Sequence, residues 1–67
     1  MPDIDLFSVV TLLADQPRLG LVRGQVGTVV EELAPGVFEV EFLDEAGQTQ
    51  AMASLTSGEL APSNERR

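Results

Sequence analysis

The sequence predicts an all-β domain, a small barrel of five short strands, and three observations carry that prediction. Phe38, Val40 and Phe42 alternate with Glu39 and Glu41 across residues 37–43, the period of two of a strand with one wet face. Upstream, residues 26–33 (Val-Gly-Thr-Val-Val-Glu-Glu-Leu) are apolar and β-branched, again strand-like. Between them stands Ala34-Pro35-Gly36. Proline presets φ and glycine supplies positive φ, so the two strands form a hairpin about a tight turn.

The remaining elements follow from this hairpin. Asp44-Glu45-Ala46-Gly47 is a second turn signal, and residues 48–54 after it are placed as the third strand of a meander despite fewer β-formers. Residues 55–60 resemble a single helical turn, and residues 60–62 return as a short edge strand that Pro62 stops. Before the hairpin, Phe7 to Ala14 is apolar on both alternating faces, with Val10 and Leu12 on one and Phe7, Val9 and Leu13 on the other. An eight-residue helix is compatible with this pattern, but Val9-Val10-Thr11 favours a strand. Arg18 to Gln25 reads as a long loop with two glycines and no clean period. No internal repeat, low-complexity tract or linker interrupts the chain. Residues 1–5 are an N-terminal extension, 6–62 the barrel and 63–67 a polar, disordered tail. Five strands in this order, with one short helical turn before the last, describe an SH3-like barrel, whose closure hides edges that a small open sheet exposes.

Size and composition narrow the function. A chain of 67 residues buries only about 60% of its unfolded surface, and such a core rarely nets more than about 3–5 kcal/mol. Proteins this small usually add disulfides, a metal or a partner. The absence of cysteine excludes disulfides and thiolate metal sites, and the absence of histidine removes the commonest transition-metal ligand. Association, with another protein or with a second copy, is the stabiliser that remains. The net charge is −7, and all four cations are arginines. With Arg66 and Arg67 in the tail, the barrel is expected to hold Arg18 and Arg23 among many acids. Such a surface repels phosphates and anionic lipid, so neither nucleic acid nor membrane is expected as a partner. No basic leader or spanning apolar segment is visible, and a cytoplasmic protein is the default expectation.

The chemistry available is sparse. Without His, Cys, Lys, Tyr or Trp, the usual bases and nucleophiles are missing, and serines 8, 54, 57 and 63 have no base to activate them. Two facing carboxylates would need a cleft that so small a barrel does not offer. The chain is therefore expected not to be an enzyme. The acidic pairs Asp3/Asp5, Glu31/Glu32 and Asp44/Glu45 lack the regular oxygen spacing of a calcium loop, and no metal or other cofactor is expected. Gly24 and Gly27, three apart before a strand, lack the lysine and helix of a phosphate cradle. They read as a sharp turn into the strand and a bulge. Arg18 and Arg23 read first as internal partners of Glu59, Asp44 or another acid, and second as contacts for a partner's carboxylate. Met52 reads as a core or half-buried packing residue.

The run Gly-Leu-Val-Arg-Gly-Gln-Val-Gly-Thr-Val-Val-Glu-Glu-Leu, residues 20–33, followed by Val-Phe-Glu-Val-Glu-Phe-Leu-Asp, residues 37–44, resembles small bacterial proteins grouped as domain of unknown function 4926. The likeness extends from about Leu6 to Pro62, with the Leu-Leu-Ala-Asp segment at 12–15 and the Glu59-Leu60 ending also fitting. The family carries no settled activity. More distantly, the layout is similar to the SH3-like barrels of electron-transport accessory proteins and of the nitrile hydratase β-subunit, which dock onto larger proteins. The piece from Arg23 to Val29 is also similar to KOW-type barrels that touch RNA, which are basic where this chain is acidic.

Together these readings imply a non-catalytic protein-binding accessory module of unknown pathway, with an antitoxin- or immunity-like protein as one form of it. The alternatives are a KOW-like nucleic-acid-binding barrel and a self-associating structural protein. The expected contacts for the partner are Phe7, Val9, Leu13, Arg18, Leu19, Leu21 and Arg23, from the first strand and the long loop.

Overall fold

A computed structural model describes residues 4–63 of the chain. Its strands are β1 (Val9–Leu12), β2 (Val26–Ala34), β3 (Val37–Leu43), β4 (Thr49–Thr56) and β5 (Leu60–Pro62). They form one antiparallel sheet in the order β4-β3-β2-β1-β5. The long β2 is the hinge of the arrangement. Its first residues pair with β1 (Val9 with Thr28, Thr11 with Val26), while it pairs with β3 along most of its length. Beyond β1 the chain's last strand closes the far side, Leu12 opposite Leu60.

The five strands, their order along the chain and the all-β class agree with the sequence reading, while the two ends of the sheet, β4 and β5, are not paired with each other, so the expected hiding of edges is not made by strand pairing. Segment 7–14 contains a strand rather than a helix, and its two faces divide as the alternation requires. Val10 and Leu12 are buried, while Phe7, Val9 and Leu13 are exposed. The core is completed by Leu21, Val29, Phe38, Val40, Phe42, Ala53, Leu55 and Leu60. Period two thus places apolar side chains from every strand on one side of the sheet.

Several details differ from expectation. Leu55 does not open a helical turn; it is buried opposite Phe38 as an inward residue of β4. The single turn is a 3-10 helix over Ser57–Glu59, fixed by a capping box in which the Thr56 N–H donates to Glu59 Oε1 at 2.9 Å. Met52 alternates with Ala51 and Ala53 and so faces outward, 47% exposed, rather than packing in the core. Ser63 continues the ladder rather than starting a loose tail, its N–H donating to the Val9 carbonyl at 2.9 Å. Ile4 of the expected extension packs against the core. The rest of the expected tail, 64–67, lies outside the described residues, as do residues 1–3.

The glycines at 24 and 27 serve different ends. Gly24 has φ 94° and turns the loop into β2, where a side chain would be strained. Gly27 is no bulge, because it pairs regularly with Val10 and Phe42. A Cβ there would lie 2.8 Å from Val40 Cγ1, 2.9 Å from the Glu41 carbonyl oxygen and 2.9 Å from Phe42 Cδ2. Glycine makes room for the Phe42 ring between the strands. The irregularities of β2 come later, between Val29 and Glu31 and between Glu32 and Ala34. Each inserts one residue and increases the bend of the strand.

Candidate functional site

The seven sequence-predicted contacts do not form one patch. Phe7, Val9 and Leu13 follow β1. Val9 and Leu13 share its outward side by alternation, and exposed Val26 lies on the same face opposite Thr11. Phe7 precedes the strand, tied by its N–H to the Val29 carbonyl. It is the most exposed large apolar side chain among the described residues, at 69%, and the only non-glycine there with positive φ, at 68°. A bulky residue in the left-handed region is strained, and such strain persists only where its surroundings hold it.

Arg18 and Leu19 lie at the other end of β1, in the long loop. There Pro17–Leu19 forms a 3-10 turn, and Gln16 and Leu21 exchange backbone hydrogen bonds of 2.9 and 3.1 Å. Leu19 is exposed, but Leu21 is 1% exposed and belongs to the core. That removes Leu21 from the contact set: it anchors the loop to the core instead of facing a partner. The loop is further fixed where the Arg23 N–H donates to Asp15 Oδ1 at 2.8 Å and the Gln50 amide donates to the Gly20 carbonyl at 3.2 Å.

Of the acids expected to pair with the arginines, the two named ones, Glu59 and Asp44, hold other hydrogen bonds. Glu59 accepts from Thr56 and from Gln16 Nε2, while Asp44 accepts the N–H groups of Ala46 and Gln48, both at 2.9 Å. Arg18 and Arg23 are exposed side chains of the loop.

On the outer face of β2 and β3 the sheet carries carboxylates. Glu31 stands directly opposite Glu39, and Glu39 opposite Ser54; the next row runs Thr28, Glu41, Met52. The Thr49 hydroxyl donates to Glu41 Oε2. Like charges directly across a strand pair are destabilising, so the Glu31–Glu39 pair is a cost that the fold carries. The sequence shows the alternation of Glu39 with Glu41, but not that Glu31 faces Glu39, because that depends on the residue inserted after Val29.

No cavity opens among the described residues, and no three acidic side chains there are grouped to hold a metal ion. No helix among them is long and apolar enough to cross a membrane. Residues 6–62 match the family described as "Domain of unknown function (DUF4926)". The chain belongs to this family. The match takes in all five strands and the long loop, so the domain just described is the family's domain. No curated protein and no solved structure matches the chain.

Proposed function

We propose that this DUF4926 domain is a non-catalytic protein-binding module whose contact surface runs along the outer side of β1. One observation carries this reading. Among the described residues the chain exposes ten large apolar side chains, as many as the ten residues that make up its core. Single exposed apolar residues are ordinary, whereas grouped ones mark interaction sites. Val9, Leu13 and Val26 are grouped on one face, with Phe7 at its edge. The backbone strain at Phe7 supports the same reading, since strained residues concentrate at functional sites. Arg18 and Leu19 form a separate, smaller contact on the loop. The compartment we propose is the cytoplasm, where a chain without disulfides is at home.

The test is co-purification of the tagged chain from its native host beside a Val9→Glu, Val26→Glu variant. The reading predicts a stoichiometric protein partner with the native chain and its loss with the variant, whose fold is checked by circular dichroism. Return of the bare chain at modest salt contradicts the reading.

A further inference from the structure

Resting on that reading, we infer that the free edge of β4 accepts an extended segment of the partner protein, with an arginine or lysine placed opposite Ser54. The Ser57 N–H donates to the Gly36 carbonyl, one step beyond the Val37–Thr56 pair, which makes that pair non-hydrogen-bonded. By alternation, Ala51, Ala53 and Leu55 bond to β3, while Met52, Ser54 and Thr56 direct their backbone groups away from the sheet. Glu59 takes the Thr56 N–H, as this phase requires. The N–H and C=O groups of Met52 and Ser54 face outward on the last strand of the sheet.

Natural edges are guarded by charge, proline or short length. The other edge, β5, is three residues long and ends at Pro62. β4 has eight residues, Thr-Gln-Ala-Met-Ala-Ser-Leu-Thr, with neither charge nor proline. One residue, Gln50, is inserted in β4 between Thr49 and Ala51, but from Ala51 to Thr56 the pairing with β3 is regular, and an added strand would find a ladder along that stretch, the mode of recognition by strand addition.

Charge complementarity specifies the added segment. The outward row Glu31–Glu39–Ser54 brings two opposed carboxylates up to the edge and ends on a small side chain. A residue opposite Ser54 in an added strand lies about 10 Å from Glu39, two strand spacings away. An arginine or lysine reaches over Ser54 to span that gap. The chain's own Arg18 and Arg23 sit in the loop before β2, at the end of that strand remote from Glu31. The bound cation would relieve the repulsion between Glu31 and Glu39.

The test uses the full chain, nitrogen-15 labelled, titrated with short blocked peptides of alternating threonine and valine. One peptide has a central arginine and the other a central glutamate. The arginine peptide should shift the Met52 and Ser54 amides saturably, and the glutamate peptide should bind about two- to fivefold more weakly. Glu31→Gln with Glu39→Gln should erase most of that difference. Ser54→Pro should abolish binding with the spectrum still dispersed, since proline at 54 removes an outward N–H and no bond to β3. Absence of shifts, equal binding of both peptides, or shifts confined to Phe7–Leu13 would overturn the inference while leaving the wider reading standing. Concentration-dependent broadening at Met52 and Ser54 without peptide would also overturn it, by showing a second copy on the edge. Failure of the wider reading is separate, and shows as the bare chain in the co-purification.

Discussion

Substituting Gly27→Ala should destabilise the domain by about 2 kcal/mol, and the figure follows from the packing around one missing side chain. A methyl at this position meets Val40 Cγ1, Phe42 Cδ2 and the Glu41 carbonyl oxygen, all within 2.9 Å. Val40 and Phe42 are fully buried, and the carbonyl is backbone, so none of the three has an easy way to move. Overpacking of this kind costs about 1–3 kcal/mol, and three simultaneous contacts place it near the top of that range. Against this, alanine reduces the freedom of the unfolded chain, which returns about 0.4–1 kcal/mol. The net of about 2 kcal/mol is roughly a thirtyfold change in the folding equilibrium. In a domain of this size, with a total of about 3–5 kcal/mol, it removes around half of the stability. The chain has neither tryptophan nor tyrosine, so urea unfolding is best followed by far-ultraviolet circular dichroism. With a slope of about 1 kcal/mol/M the midpoint should fall by about 2 M. Adding Phe42→Leu should recover part of the loss in a double-mutant cycle, because it removes one of the contacts. A midpoint unchanged or raised by Gly27→Ala would refute the reasoning, and strict additivity with Phe42→Leu would weaken it.

Other substitutions separate further parts of the account. Leu21→Ala should cost about 2–4 kcal/mol by emptying a core site, while Leu19→Ala, two residues away and exposed, should stay within about 0.5 kcal/mol; both are read in the same urea experiment. Phe7→Gly should stabilise the chain by about 0.5–1 kcal/mol by relieving the left-handed backbone, yet weaken retention of the native partner. Glu31→Gln should stabilise by about 0.2–1 kcal/mol, with the gain shrinking as salt rises; a destabilisation at low salt would show that Glu31 and Glu39 do not oppose each other. Glu59→Ala should cost about 1 kcal/mol through loss of the capping box, measured as a drop in the unfolding midpoint.

Much of the fold was legible because the strands carry their own period. The Phe38–Phe42 alternation located β3 and its buried face directly, and the Pro35-Gly36 turn fixed the partner strand. What was illegible depended on contacts distant in sequence. The pattern of residues 55–60 could not show that Leu55 continues the buried row of β4 opposite Phe38. Leu21 sits in a loop without period, so nothing local distinguished it from exposed Leu19. Gly27 looked like Gly24, because a glycine that makes room for a ring and one that supplies positive φ are the same letter. The candidate surface was legible in part. Phe7, Val9 and Leu13 followed from alternation, whereas the Glu31–Glu39 row depends on the residue inserted after Val29. The open edge of β4 depends on strand order and ladder phase together.

The functional reading in its sharpest form needs the β4 edge to be open in the free chain, and amide hydrogen exchange measures that directly. The Ala53 and Leu55 N–H groups, bonded to β3, should exchange slowly, at rates approaching those set by global unfolding. Those of Met52 and Ser54, facing outward, should exchange at nearly the rates of an unstructured peptide, and should slow only when the arginine peptide is added. Protection of Met52 and Ser54 in the dilute, free chain would mean that the edge is already covered, and would contradict the account.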